Sequence, residues 1–373
     1  MAGYDLPYSQ GDAVIIEKMT VSVYSIPTNM PEADGTIEWH STTMILVEVY
    51  AGNTKGIGYT YGHKAIAEVI DATLKDLVVG KDVMLAPAFT HDMIKAIRND
   101  GQCGIAMMAV SAVDIALWDL KARVLGLPLV SLLGNVKDGM LLYGSGGFTS
   151  YIDAELENQL AGWVANGIKH VKIKIGAEPN RDITRIKLAR DTIGTAELFI
   201  DANGAYSAKE ALQKAHEYER YNISWFEEPV PSNDLKGLKL LREHAPFSMK
   251  IAAGEYGYNL PYFNAMLEAG AVDVLQGDAT RCGGITGFIK AGHLCESYQL
   301  PYSSHCAPAV HLHAALSLPA FYIAEYFYDH VRIENMFFEG VVQPVDGIVQ
   351  PDMTRPGLGL EIKQADAEKY RII

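Results

Sequence analysis

Between residues 170 and 330, short apolar runs recur every 20 to 28 residues, and six in a row end on an ionisable side chain. They read HVKIKIG, ELFIDAN, SWFEEP, KIAAGE, VDVLQGDA and LPYSSHC, and a seventh run, YIAEYF, also carries one. The endings are Lys174, Asp201, Glu227, Glu255, Asp278, His305 and Glu325. One strand plus one returning helix fills that spacing, so the polar tips face one end of a closed parallel barrel. In such barrels the C-terminal strand ends build the active site. Ionisable groups are costly at strand ends unless paired, solvated or bound to metal. The pattern predicts an enzyme.

MLLYGSGG supplies one more strand before Lys174, making eight, with helical stretches between them, several of them amphipathic with a glycine or asparagine near the end. The chain before residue 135 is of another kind. Residues 12–26 and 42–60 alternate like antiparallel strands, with Gly52-Asn53-Thr54-Lys55-Gly56 as a hairpin turn. TNMPEADGTIEWHS between them reads as a polar loop of a length that means function or disorder. Helices follow over 64–98 and over GIAMMAVSAVDIALWDLKARVLG, which stops at Gly126. This predicts an α+β domain over 1–135, an α/β barrel over 136–335, and a turn-rich segment, 336–373, that packs back on the first domain.

Bulk properties narrow the partners. A net charge of −14 without a basic cluster speaks against nucleic acid and anionic membrane. No run reaches the ~18 apolar residues of a membrane helix. Four cysteines without C-x-x-C spacing, and no signal-like N-terminus, point to a reducing cytoplasm. A homo-oligomer is expected of an acidic barrel enzyme.

Asp201, Glu227 and Glu255 close three successive strands, so their carboxylates converge on one part of the rim. Three hard oxygen ligands suit Mg²⁺ better than zinc; the competing reading is solvated or ion-paired surface carboxylates. Lys172 and Lys174 stand two apart and share one face of an apolar strand. Two adjacent ammonium groups lower each other's pKa, which favours one as a base, against snorkelling surface lysines. Asp278 and His305 end adjacent strands, and a carboxylate beside an imidazole makes a general base. Glu325 is either a neutral acid that hydrogen-bonds substrate or a partner of Arg281. Cys306 is set aside as a nucleophile, because adjacent strand residues face opposite ways. Trp39, His40, Tyr59, Tyr61 and His63 cluster near the tips of the first hairpins and either lid a pocket or are scattered surface residues. With Asn29 and Glu38 they offer polar groups suited to a polyol.

These residues resemble the enolase superfamily in its mandelate racemase-like subgroup, from about residue 13 to the end. The resemblance rests on K-x-K (Lys172, Lys174), D-A-N-G from Asp201, F-E-E-P from Phe226, G-E (Gly254, Glu255), the Asp278/His305 pair and the helix AVSAVDIALWDLKARVLGLPLVSLLG. It implies a capping domain over a modified, (β/α)7β-like TIM barrel. It implies one Mg²⁺ on Asp201, Glu227 and Glu255, with Lys174 and His305 as bases on opposite substrate faces. Lys172 would touch the substrate carboxylate, Glu325 would be an electrophilic acid, and Asn203 would lie near substrate. The expected reaction abstracts the proton α to a carboxylate; dehydration of an acid sugar to a 2-keto-3-deoxy acid is favoured. Racemisation, epimerisation or cycloisomerisation through the same enediolate is the alternative. A Schiff-base lyase on Lys174 or a non-catalytic binding protein ranks lower.

Overall fold

The computed structural model describes residues 13–373; residue 12, in the first expected strand, and the start of the expected first domain lie outside the described residues. Three antiparallel strands open the chain, β1 (Lys18–Ala33), β2 (Glu38–Ala51) and β3 (Thr54–Tyr61), in the order β1-β2-β3. The expected loop over 28–41 is mostly strand. β1 and β2 pair on past a register break between Pro27 and Glu32, and only four residues turn the chain. Asp34 makes that turn, its Oδ1 accepting from Thr36 N at 2.6 Å and Ile37 N at 2.8 Å. The strands pair here through a polar stretch in which Pro27, Asn29, Glu38 and His40 are exposed, so no apolar alternation marks it.

The helix Ile105–Val124 packs along β3. Gly58 permits the close approach, since a Cβ there would lie 2.3 Å from Ala112 O. The expected helical stretch over 64–98 is broken into short segments, including a π-helical turn at Ile70–Leu74.

Eight parallel strands follow: β4 (Met140–Gly146), β5 (His170–Lys174), β6 (Glu197–Asp201), β7 (Ile223–Glu227), β8 (Lys250–Ala253), β9 (Val274–Gly277), β10 (Tyr302–Ser304) and β11 (Phe321–Phe327). Each pairs with the next, and β11 closes the barrel on β4 through Ala324–Leu142 to Phe327–Ser145. Period-two alternation sets the barrel's contents. Tyr143, Phe199, Trp225, Ala252, Val274 and Ile323 form an apolar layer, with Phe199 stacked on Trp225 at 4.9 Å. Two residues further along, Asp201 and Glu227 stand above that layer. The interior is therefore a packed floor under a charged rim.

The first domain is clamped to the rim. Thr149 N donates to Ala33 O at 2.8 Å, and Thr149 Oγ1 to Asp34 O at 2.7 Å. At Gly35 a Cβ would stand 2.3 Å from Ala202 O and 2.6 Å from Ile175 O, so only glycine lets the hairpin tip lie against β5 and β6. The last segment first pairs Ile348 and Val349 antiparallel with Leu141 and Met140 at the start of β4. It then returns to β1, where Ile372 N donates to Val23 O at 2.8 Å. No described helix is long and apolar enough to cross a membrane.

Candidate active site

Asp201 and Glu227 end their strands, and Glu255 follows Gly254 just past β8. All three are buried, and one carboxylate oxygen from each lies within 4.8 Å of the others. Trp225 Nε1 at 2.9 Å and Gln276 Nε2 at 3.0 Å donate to Glu227 Oε2 and aim its other oxygen. Glu255 Oε2 is buried without a hydrogen-bond partner.

The lysines meet this cluster from β5. Lys174 Nζ lies 2.5 Å from Asp201 Oδ2. Lys172 Nζ is ion-paired with Glu227, stands 2.7 Å from Glu325 Oε1 and 3.5 Å from Asp201 Oδ2, and sits 5.2 Å above the Tyr143 ring. Both lysines are buried inside the barrel, as their shared face requires. Their pKa values move opposite to expectation. Burial pulls the Lys172 ammonium down, but Glu227 and Glu325 override it and raise it well above the ordinary lysine value. Burial likewise lowers Lys174, Asp201 outweighs it, and the repulsion from Lys172 is the smaller effect. Lysine–lysine repulsion was the only effect legible within one strand; the carboxylates come from β6, β7 and β11.

Across the rim, His305 Nδ1 lies 2.8 Å from Asp278 Oδ2. Thr280 N and Oγ1, both at 2.7 Å, hold Asp278 Oδ1. Burial opposes ionisation of Asp278, but the His305 hydrogen bond and charge, with Arg281, hold its carboxyl below the usual range. An ionised Asp278 accepts Nδ1–H and leaves Nε2 as the free base nitrogen. Nε2 faces Glu255 Oε2 at 3.5 Å.

Glu325 differs from both expectations. Arg281 does not reach it; that guanidinium lies 3.4 Å from Glu255 Oε1 and 3.6 Å from Asp278 Oδ2. Glu325 instead faces Lys172, accepts from Ser145 Oγ at 2.6 Å and from Cys306 N at 2.8 Å. Burial pushes its carboxyl up, yet Lys172 and then His305 win and hold it well below the ordinary range. Lys172 and His305 thus favour its charged form.

Cys306 also departs from the strand argument. β10 ends at Ser304, and Cys306 adopts φ +52°, which swings Sγ to 3.2 Å from His305 Nε2. Asn203, Glu228 and Ala307 share this left-handed backbone at the same end of the barrel. Such non-glycine strain gathers at functional sites. Glu228 was missed: alternation points it away from Glu227, but its φ of +37° returns a buried carboxyl with an unpartnered Oε1. The doubled glutamate of F-E-E-P was the available signal. Glu32 was missed as well; burial first, then Asp329, pushes its carboxyl to about 8.

Of the expected substrate residues, Asn203 lies on the rim, its N donating to Asp201 Oδ1 at 2.9 Å and its buried Oδ1 free. With Glu228, Thr36, Cys103, Tyr256 and Tyr258 it lines a cavity of about 710 Å³ between barrel and first domain. Trp39 packs edge-on to Phe148 and donates to Glu32 Oε2 at 3.0 Å. Tyr59 and Tyr61 are not exposed tips: Tyr59 OH is spent on Glu334 Oε1 at 2.7 Å, and Tyr61 stacks on His330. Both belong to β3, whose end is covered by the barrel's last helix. His40 is exposed beside Glu38 at 3.4 Å, and exposed His63 accepts from Ala65 N at 3.1 Å. Asn29 Nδ2 donates to Tyr328 OH at 3.1 Å.

Three buried carboxylates, a lysine strand and an Asp–His pair on one barrel rim define a site for polarising a carboxylate-type substrate. Two family models match the chain: the mandelate racemase/muconate lactonizing enzyme N-terminal domain over residues 16–134, and the enolase C-terminal domain-like model over 155–367. The chain belongs to this family, the mandelate racemase-like subgroup of the enolase superfamily. A mandelate racemase/muconate lactonizing enzyme-like protein from Rubrobacter xylanophilus has TM-score 0.94 and 49% identity, covering 96% of this chain and all of that one. L-talarate/galactarate dehydratase from Salmonella typhimurium is 30% identical over 94% of this chain and 89% of its own. Its structure with Mg and L-lyxarohydroxamate has TM-score 0.89 at 27% identity, covering 100% and 98%. The 3,6-anhydro-α-L-galactonate cycloisomerase of Streptomyces coelicolor is 29% identical over 93% of this chain and 96% of its own.

Proposed function

We propose that this protein is a Mg²⁺-dependent lyase that removes the proton α to a carboxylate and dehydrates an acid sugar to a 2-keto-3-deoxy acid. The observation that carries the reading is the convergence of Asp201, Glu227 and Glu255 within 4.8 Å, with Lys174 on one side and the Asp278–His305 pair on the other.

The site's own chemistry fits a hard divalent cation. Five buried carboxyls, those of Asp201, Glu227, Glu228, Glu255 and Glu325, face two ammonium groups and the Arg281 guanidinium. Burial and the neighbouring carboxylates push Glu228 well above its ordinary value, the mark of a site with too much negative charge. The unpartnered Glu255 Oε2 is a donor in waiting. All three proposed ligands are oxygens, as Mg²⁺ prefers. Asp201, Glu227 and Glu255 would hold the ion, which would supply positive charge worth several kcal/mol to a substrate carboxylate that gains negative charge.

In this reading Lys172, held charged by Glu227 and Glu325, orients the substrate carboxylate. Lys174 would first give up its ammonium proton to solvent, and its free amine would then take the α-proton. His305 in its imidazolium form, with Nδ1–H held by Asp278, delivers its Nε2 proton to the departing β-hydroxyl and returns to the neutral imidazole. The cavity beside Asn203 and Glu228 accommodates the polyol chain. The barrel over 136–335 acts as the catalytic domain, 1–135 as its cap and 336–373 as the segment that ties them. Assembly as a homo-oligomer in the cytoplasm belongs to the same proposal, and light scattering after size exclusion tests the assembly.

The test is a library of acid sugars with Mg²⁺, followed by semicarbazide detection of 2-keto acid. Product from any member supports dehydration and names the substrate. The cycloisomerase relative favours one second reading, isomerisation through the same enediolate. α-Deuterium exchange in D₂O without 2-keto product selects it, and no exchange from any member defeats both.

A further inference from the structure

The turn that brings Cys306 back onto His305 creates a donor set of a different chemical kind from the three carboxylates. His305 Nε2, Cys306 Sγ and a Glu325 oxygen lie within 4.8 Å of one another, all buried. From Nε2, the distances are 3.2 Å to Cys306 Sγ, 3.8 Å to Glu325 Oε2 and 3.5 Å to Glu255 Oε2. Zn–N and Zn–O bonds of about 2.0–2.2 Å and a Zn–S bond of about 2.3 Å imply tetrahedral edges of roughly 3.4–3.6 Å. The spacings from Nε2 to Cys306 Sγ and to Glu325 Oε2 bracket those edges. The Nδ1–Asp278 contact of 2.8 Å supplies the carboxylate behind the imidazole that orients histidine ligands and leaves Nε2 free to bind.

We propose that His305, Cys306 and Glu325 form a second, three-ligand cation site, selective for Zn²⁺-class ions, whose occupation silences His305. Nitrogen and sulfur donors favour zinc over magnesium, so the two neighbouring sites sort their ions by donor type. Binding replaces the Cys306 S–H bond with a Zn–S bond and releases that proton to solvent. It also takes the Nε2 lone pair, so the His305 proton transfer stops. The binding stands on geometry alone; the inhibition rests on the proposed function above.

Mg²⁺-saturated protein is titrated with Co²⁺ as a spectroscopic stand-in for Zn²⁺. A near-ultraviolet thiolate-to-cobalt charge-transfer band is expected, displaced by Zn²⁺ and lost in Cys306→Ser and Cys306→Ala. Equilibrium dialysis should show about one Zn²⁺ equivalent fewer in either variant, with folding checked by circular dichroism. No band in the wild type, or the same band in both variants, overturns the site. With a turnover assay in excess Mg²⁺, Zn²⁺ should inhibit the wild type at concentrations at least about tenfold lower than the variants. A cobalt–thiolate band with Zn²⁺-insensitive turnover overturns the silencing of His305 and leaves the cation site standing.

Discussion

Lys174 and Asp278 illustrate how single residues here are defined by what faces them across the barrel. Asp201 lies 2.5 Å from Lys174 Nζ, and His305 Nδ1 lies 2.8 Å from Asp278. In the proposed mechanism Lys174→Ala removes the α-proton acceptor, and α-deuterium exchange should fall to background; exchange at the wild-type rate would remove Lys174 from its role. Asp278→Asn keeps the shape but no longer selects the Nδ1–H tautomer, and His305→Gln removes the second proton carrier. Each should lower kcat by about 10²–10⁴-fold, the range of one general acid–base group. A Tm within a few degrees of wild type separates that loss from misfolding. Lys172 was legible as an interior lysine from its spacing to Lys174, whereas its Glu325 partner was not, because β11 meets it only through barrel closure.

At the scale of elements, the hairpin tip and the long helix hold the first domain over the rim. Gly35→Ala places a Cβ 2.3 Å from Ala202 O, where neither backbone can yield. We expect a loss of about 1–3 kcal/mol, the usual cost of overpacking, and a raised KM as the tip lifts from β5 and β6. Thermal melts and steady-state kinetics check both; an unchanged Tm and KM would mean that the tip does not close the site. On the helix Ile105–Val124, Asp114 bonds Thr90 and accepts from Thr286 N at 3.0 Å and Oγ1 at 2.6 Å, joining cap to barrel. Burial, only partly offset by these bonds, pushes its carboxyl from 3.8 to about 6. The folded state therefore keeps a proton that the unfolded chain releases. Stability from this group is present at the acid end and declines as pH rises from about 4 to about 6, by up to about 3 kcal/mol. Calorimetric melts of Asp114→Asn should lose that slope; a variant curve parallel to wild type would refute it. Helix and strands of this domain were readable from their periods, but the Asp34 turn replaced the expected loop, because strand pairing beyond a register break leaves no local trace.

For the whole molecule, the charge balance of the rim predicts its response to metal. Chelator should reduce turnover to background while the far-ultraviolet spectrum of the barrel persists, because the packed floor of Tyr143, Phe199 and Trp225 does not depend on the carboxylates. Returning Mg²⁺ should restore turnover and raise Tm, since an ion at a hundredfold excess over its Kd stabilises the folded state by about 2.7 kcal/mol. Retained turnover in chelator would reject the metal reading.

The barrel, its eight strands and the ionisable strand ends were legible in the sequence alone. Strand alternation and the length of a βα unit are properties of short stretches of chain, and they place Lys174, Asp201, Glu227, Asp278, His305 and Glu325 at one end whatever else happens. Tertiary structure alone decided the pairings: Glu325 with Lys172 rather than Arg281, Cys306 turned onto His305, Glu228 turned inward, and Tyr59 and Tyr61 buried. These depend on barrel closure, on left-handed turns past the strand ends, and on which domain lies over which rim. Such features arise where distant segments meet, and periodicity along a single segment carries no record of them.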